Sequence, residues 1–266
     1  MALLLAQGNI SFAQTDTTKT SVGLDEYIFS ANKVAESKKS VAQQVLILDN
    51  KQIANANAQN TADLLSYTGN VFVQKSQAGG GSPVLRGFEA SRVLLVVDGV
   101  RMNNAIYRAG HLQNILTIDN GMLDRAEILF GPASTIYGSD ALGGVMHFYT
   151  KKPVFATGGS KLYKSVNAYA RYGSVNNEMT GHADFNIGGK KLASVTSITY
   201  SSFDDMRGGA TQNPFYNTSY GERPFYVKRI NGADTFVKND DNINRYTAAT
   251  PSTISCRRLH SGKMIM

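Results

Sequence analysis

Four histidines, His111, His147, His182 and His260, are the first residues to weigh for chemistry, because imidazole serves as general base and as metal ligand. None stands at an HExxH or other paired ligand spacing, so no preformed metal site and no cofactor is expected. Cys256 is the single cysteine, which excludes an intrachain disulfide and a cysteine-based zinc site. Asp98 follows an apolar run, the position of a catalytic carboxylate at a strand end, yet Asp98-Gly99 is more simply a turn. Gly79, Gly80 and Gly81 form a glycine-rich loop without the Lys-Ser or Lys-Thr that a phosphate-cradling loop requires. No nucleophile–base pair is recognisable, and the chain is read as non-enzymatic.

Composition narrows the partners. The 266 residues carry 27 Lys+Arg against 20 Asp+Glu, a net charge of +7. The basic residues are scattered as singles or pairs such as Lys38-Lys39 and Lys151-Lys152, with no aromatic-interleaved stripe, so nucleic acid is not an expected partner. A mean hydropathy of −0.22 and the lack of a long apolar run exclude a spanning helix. They leave open a membrane β-barrel, whose strands need only about 9–11 residues each. Residues 1–13 hold a short apolar stretch followed by small residues at Ser11 and Ala13, the pattern of a signal-peptidase site cutting after Ala13. No Lys or Arg precedes Lys19, so the segment reads as the remnant of a secretory signal whose start is missing, placing the protein outside the cytoplasm.

The remaining chain divides by pattern. Residues 14–44 are polar, a flexible arm with one β-prone island, Tyr27-Ile28-Phe29, preceded by Asp25-Glu26. Such an island either adds a strand to a partner's sheet edge or forms the first edge strand of the next domain. Residues 45–152 read as a compact α/β unit. Strand 45–48 ends in the turn-forming pair Asp49-Asn50, and a helix over 62–68 takes Asn60 or Thr61 as cap, with Gly69 just beyond. Short strands at 71–73 and 83–88 flank the glycine turn, and buried strands are expected at 92–97, 126–130 and 145–150. After Pro153 the pattern becomes period two. Met179, Gly181, Ala183, Phe185 and Ile187 alternate with Thr180, His182, Asp184 and Asn186. Weaker alternation around 165–172 and a third stretch at 192–201 flank it, with a tight turn at Gly188-Gly189-Lys190 and a long polar stretch from 204 to 245. Periodicity alone leaves barrel strands and a soluble antiparallel meander equally open. Residues 251–266 keep neither period and read as an anomalous tail, out of frame or a junction.

Residues 124–151 break the tie. They run Asp124-Arg125-Ala126-Glu127 through Gly131-Pro132, Tyr137-Gly138 and Gly143-Gly144 to Lys151, and this closely resembles the plug-domain signature of TonB-dependent outer-membrane receptors. Arg86-Gly87-Phe88 resembles the family's Arg-Gly-Phe segment, the run 93–100 its strand and Asp-Gly turn, and 62–65 its early helix. The resemblance covers about residues 25–152. It implies an α/β plug, a small mixed sheet with short helices, followed by antiparallel transmembrane β-barrel strands over 153–250, the barrel incomplete. It implies an outer-membrane location and energy-coupled import of a scarce small molecule such as a siderophore, haem or cobalamin. The implied partner is TonB, driven by the inner-membrane proton gradient. Asp25, Glu26, Tyr27, Ile28, Phe29 and Ser30 sit where the family has its TonB box. Gly79–Ser82 and the loop holding Tyr107 and His111 become candidates for the ligand-facing apex; were the cargo haem, Tyr107, His111 and His147 could be read as its ligands, against the plainer reading that His111 is a loop residue facing the pore and His147 lies on a plug strand.

Glycines at 131, 138, 143 and 144 fall where a sharply turning chain needs positive φ or close backbone approach. Pro132 at a helix start gives up no useful donor. Two departures stand out. Phe130 occupies the position where the family has a basic residue before Gly-Pro, so Arg86 keeps only half of an ionic lock to barrel carboxylates. A barrel of about 22 strands at about 10 residues each also needs more than the whole remainder of the chain. The chain is therefore expected to be an N-terminal portion, a frameshifted product, or a soluble periplasmic plug-like module.

Overall fold

In the computed structural model the chain is described over residues 27–28, 30–76, 80–89, 92–102, 113–157, 161–208, 224–239, 241, 243–245, 252–260 and 263–265. The signal-like segment, Asp25, Glu26, Phe29, Gly79, Tyr107 and His111 lie outside these residues.

β1 (Tyr27–Ile28) and β2 (Glu36–Ser37) pair antiparallel ahead of the α/β unit. β3 (Gln44–Asp49) runs directly into α1 (Asn50–Ala56). The Asp49 carboxylate accepts the Gln52 amide at 2.7 Å, and the Gln52 side chain accepts the Asp49 amide at 3.0 Å. This reciprocal capping box makes Asp49-Asn50 a helix start, correcting the expected turn. α2 (Thr61–Tyr67) forms as expected, with the Asn60 side chain accepting the Asp63 amide at 3.0 Å and Gly69 at φ 68° past the end.

β4 (Phe72–Ser76) and β5 (Gly80–Val84) form an antiparallel pair lying on α2. β6 (Val93–Val97), β7 (Val100–Arg101), β8 (Leu123–Phe130), α3 (Ser134–Tyr137) and β9 (Gly144–Thr150) complete the unit. The sheet order is β3-β8-β9-β6-β7, antiparallel except for β6 beside β9. Both faces are covered, which explains the unbroken apolar run of β6. Leu64, Leu65, Ile128, Met146 and Phe148 fill one side under the helices, and Ile28, Leu94, Leu129, Tyr137 and Val145 fill the other.

Beyond the plug, β10 (Tyr163–Gly173), β11 (Glu178–Gly188) and β12 (Leu192–Ser202) form an antiparallel meander of eleven-residue strands. The long polar stretch that follows holds a small pairing of β13 (Met206–Arg207) with a later strand, and a hairpin of β14 (Phe225–Ile230) with β15 (Ala233–Lys238). Asn231 and Gly232 turn that hairpin at φ 51° and 85°. β16 (Ile243–Asn244) closes on β13. β17 (Ser252–His260) and β18 (Lys263–Ile265) then extend the meander, giving the order β10-β11-β12-β17-β18. The tail for which no regular element was expected thus forms a strand along β12, from Leu192 opposite His260 to Tyr200 opposite Ser252. The architecture is a mixed α/β unit followed by antiparallel strands.

Candidate functional site

The arm enters the plug as a fixed strand. Tyr27 is exposed, whereas Ile28 is fully buried among Leu94, Leu129 and Tyr137. Ser30 is fully buried too. Its amide donates to Glu127 Oε2 at 2.8 Å, and its carbonyl accepts the Tyr137 hydroxyl at 2.8 Å. Burial, together with the nearby Glu127 charge, raises the Tyr137 hydroxyl pKa, so it stays a proton donor. Glu127 lies wholly buried on β8, 3.1 Å from the Arg125 guanidinium, which stacks over the Tyr149 ring. Asp124 is exposed beside the irregularity between Leu123 and Arg125.

Arg86 and Gly87 form a tight turn at φ 50° and 85°, closed by reciprocal amide–carbonyl bonds between Leu85 and Phe88 at 2.9 and 2.8 Å. The guanidinium donates to Gln44 Oε1 at 2.5 Å and sits 5.6 Å from the Phe130 ring centre. Phe130 is a core residue, so where a second basic side chain was expected there is an aromatic platform for Arg86. The glycines of the motif behave as their spacing requires. Gly131 and Gly138 lie at φ 103° and 87°, and a Cβ at Gly143 would meet Phe88 Cβ at 2.2 Å. At Gly144, φ is 149° and a Cβ would lie 2.4 Å from the Leu129 carbonyl oxygen. Pro132 precedes α3 and accepts Gln43 Nε2 through its carbonyl at 3.0 Å.

Asp98 and Gly99, at φ 48° and 88°, make the β6–β7 turn. The Asp98 carboxylate takes the Thr150 amide at 3.0 Å and its hydroxyl at 2.5 Å, and faces Arg257 of β17 at 3.0 Å. It is a structural carboxylate that fixes the end of β9 and meets a strand of the wall. His147 accepts the Gly99 amide at Nε2 and contacts the Tyr149 hydroxyl through Nδ1 at 3.1 Å. Both ring nitrogens of His147 are engaged by groups of the plug itself. Burial lowers its pKa to about 4 and keeps it neutral.

The strands after the plug grip it with polar side chains. Glu178, Thr180, His182 and Asp184 of β11 are each at most 5% exposed, while Met179 (64%), Phe185 (41%) and Ile187 (53%) face away. Arg171 donates to Glu178 Oε1 through Nε at 2.8 Å and Nη2 at 2.6 Å, and to the Ala58 carbonyl at 2.8 Å. Gln59 reaches Glu178 at 2.6 Å, Lys151 pairs with Asp184 at 2.7 Å, and Asp119 accepts the Thr199 hydroxyl at 2.6 Å. A Cβ at Gly121 would lie 2.4 Å from the His182 ring, so this glycine lets the wall approach. A cavity of about 90 Å³ between plug and strands is lined by Asn60, Asp119, Tyr169, Arg171 and Thr180.

Of the expected ligand-facing residues, Gly80 and Gly81 lie in β5 and Ser82 is buried. A Cβ at Gly81 would stand 2.9 Å from Ala62 Cβ, so it serves packing against α2. Among the described residues no group of three or more His, Cys, Asp or Glu side chains forms a metal site. Sequence reasoning missed the contacts of Gln59, Gly121, Arg171, Glu178 and Arg257, whose partners lie far along the chain.

The site thus joins a mixed α/β unit, with its Arg-Gly turn and Gly-Pro-bounded helical turn, to antiparallel strands that turn polar side chains onto it. Residues 37–145 match the TonB-dependent Receptor Plug Domain family. The chain is 28% identical over 223 residues to the vitamin B12 transporter BtuB of Vibrio vulnificus, covering 83% of this chain and 34% of that protein. It is 33% identical over 142 residues to the hemin receptor of Yersinia pestis, covering 52% of this chain and 20% of that one. It thus spans about a third or less of these relatives' length. Among solved structures, the copper transporter OprC superposes with TM-score 0.53 at 23% identity, covering 62% of this chain and 24% of that one. FpvAI in its complex with pyocin S2 gives 0.54 at 19% identity, covering 66% and 22%. At these identities the likeness is one of fold.

Proposed function

We propose that this chain is the plug and first wall strands of an outer-membrane receptor that imports a scarce ligand with energy delivered by TonB. β11 carries the reading: it follows the plug directly, turns charged and hydroxyl side chains onto it, and leaves Met179, Phe185 and Ile187 uncovered on the other face. Eleven-residue strands suit a tilted crossing of about 9–11 residues, with the apolar side toward lipid. Residues 25–30 are the segment we assign to TonB, and cobalamin, haem or a ferric siderophore is the ligand class; the names of the curated relatives support the first two. The test is accumulation of cyanocobalamin, haem and a ferric siderophore by cells producing the natural protein, with and without a protonophore. Uptake of one of them, abolished by the protonophore, is expected. Uptake that persists without the gradient, or of none of the three, would count against the reading.

A further inference from the structure

The sequence holds two Asn-Gly pairs, Asn120-Gly121 and Asn231-Gly232. In such a pair the side-chain amide lies within reach of the next residue's backbone nitrogen, and glycine sets no side chain in the way. The fold treats the two oppositely. In the plug, Asn120 accepts the Thr61 hydroxyl at 2.7 Å and donates to the Ala58 carbonyl at 3.4 Å. The Gly121 amide donates to Asp119 at 2.9 Å, and a Cβ there would meet the His182 ring at 2.4 Å. Both reacting groups are held and the space beside them is filled. Asn231 and Gly232 are instead the exposed two-residue tip of the β14–β15 hairpin, at φ 51° and 85°. A Cβ at Gly232 would meet nothing within 4 Å. Among the described residues, neither the Asn231 side chain nor the Gly232 amide has a hydrogen-bond partner. β14 and β15 form a two-stranded sheet of their own, and such a hairpin is marginal in water, so its tip opens at little cost.

We propose that Asn231 is a self-modification site, converted by water to aspartate and isoaspartate through a succinimide closed with Gly232. The Gly232 nitrogen gives its proton to hydroxide and attacks Asn231 Cγ. The new C–N bond closes the ring as the Cγ–Nδ2 bond breaks, and Nδ2 takes a proton from water and leaves as ammonia. Water then opens the ring: breaking the bond from nitrogen to Cγ gives aspartate, and breaking the bond to the backbone carbonyl carbon gives isoaspartate. Water enters, ammonia leaves, and nothing is oxidised or reduced. Either product adds a negative charge beside Lys228 and Arg229. Isoaspartate also runs the backbone through Cγ, which lengthens a tip that needs two residues at positive φ, and so unpairs Ile230 from Ala233. The hairpin in the long polar stretch thus changes its charge and shape with age.

The experiment ages the purified natural protein at mildly alkaline pH and follows the peptides that contain positions 120 and 231 by mass spectrometry. Labelling with an isoaspartyl methyltransferase separates isoaspartate from aspartate. Conversion at Asn231 is expected to run at least about tenfold faster than at Asn120, whose reaction waits on local unfolding of the plug. It should quicken as pH rises, and Asn231→Gln, whose longer side chain closes a larger ring slowly, should stay unmodified at that position. Hydrogen exchange over residues 225–238 should rise in step with the isoaspartate fraction. Equal rates at the two positions, or an intact Asn231 after a free peptide of residues 228–235 has been fully converted, overturns the proposal. Isoaspartate that forms without loss of hairpin protection leaves the modification standing and overturns its effect on shape.

Discussion

Truncating Glu178 to alanine tests the seam between plug and wall. Glu178 is 2% exposed and its partner Arg171 13%. The carboxylate receives two bonds from Arg171, one from Gln59 at 2.6 Å and one from Thr180 Oγ1 at 2.7 Å. Removing it leaves a nearly buried guanidinium with the Ala58 and Gln59 carbonyls at 2.8 and 3.2 Å as its remaining acceptors. Orphaning one partner of a buried pair costs about 3–5 kcal/mol. The two surviving carbonyl bonds place this case near the lower bound, about 3 kcal/mol. Replacing both charges at once, Arg171→Met with Glu178→Leu, should cost only about 1–2 kcal/mol, since the uncompensated cation is gone and only neutral groups, the Gln59 and Thr180 donors and the Ala58 and Gln59 carbonyls, lose a partner. Urea unfolding of the purified natural protein, with hydrogen exchange at residues 57–60 as local readout, measures Glu178→Ala, the double variant and its two singles, Arg171→Met and Glu178→Leu. A Glu178→Ala loss below about 1 kcal/mol, or a double variant equal to the sum of the singles, would refute the reasoning.

Gly121→Val should destabilise the plug–wall contact by about 1–3 kcal/mol through overlap with His182, and His182→Ala should recover most of it in the same unfolding assay. Phe130→Arg, which restores the basic residue the resemblance led one to expect, should lower thermal stability by about 3 kcal/mol, because it puts a buried cation next to the exposed Arg86 in place of a core ring. His147 has a folded-state pKa of about 4 against an unfolded value of 6.5. The unfolded chain therefore binds more protons between these values, and stability should fall by up to about 3 kcal/mol as pH drops from 6.5 to 4. His147→Gln should flatten that slope in thermal unfolding at pH 7.5 and 4.5.

What was legible in the sequence follows from how far each cause reaches along the chain. Asn60 and Gly69 announce α2 locally, Val93–Val97 announces a strand buried on both faces, and the alternation from Glu178 to Ile187 announces a two-faced strand. The capping box of α1 was equally local, Asp49 and Gln52 three residues apart, but the Asp-Asn pair also satisfies the description of a turn. The tail concealed its strand because β17 is aligned by backbone pairing to β12, which needs no side-chain alternation. Contacts of long range were not legible. Ser30 meets Glu127 and Tyr137 across 97 and 107 positions, and Arg257 meets Thr150 across 107. The glycine run at 79–81 suggested an exposed apex, whereas Gly81 is required by the nearness of Ala62, which only the packed structure reveals.

The most direct test of the central claim is disulfide trapping in cells between single cysteines placed in turn at positions 22–34 of the arm and cysteines along the edge strand of the C-terminal domain of TonB. The account predicts cross-links confined to positions 25–30, alternating along the segment as a paired strand requires, and enhanced when the imported ligand is added. Cross-links at no position, or spread evenly across the arm, would contradict it.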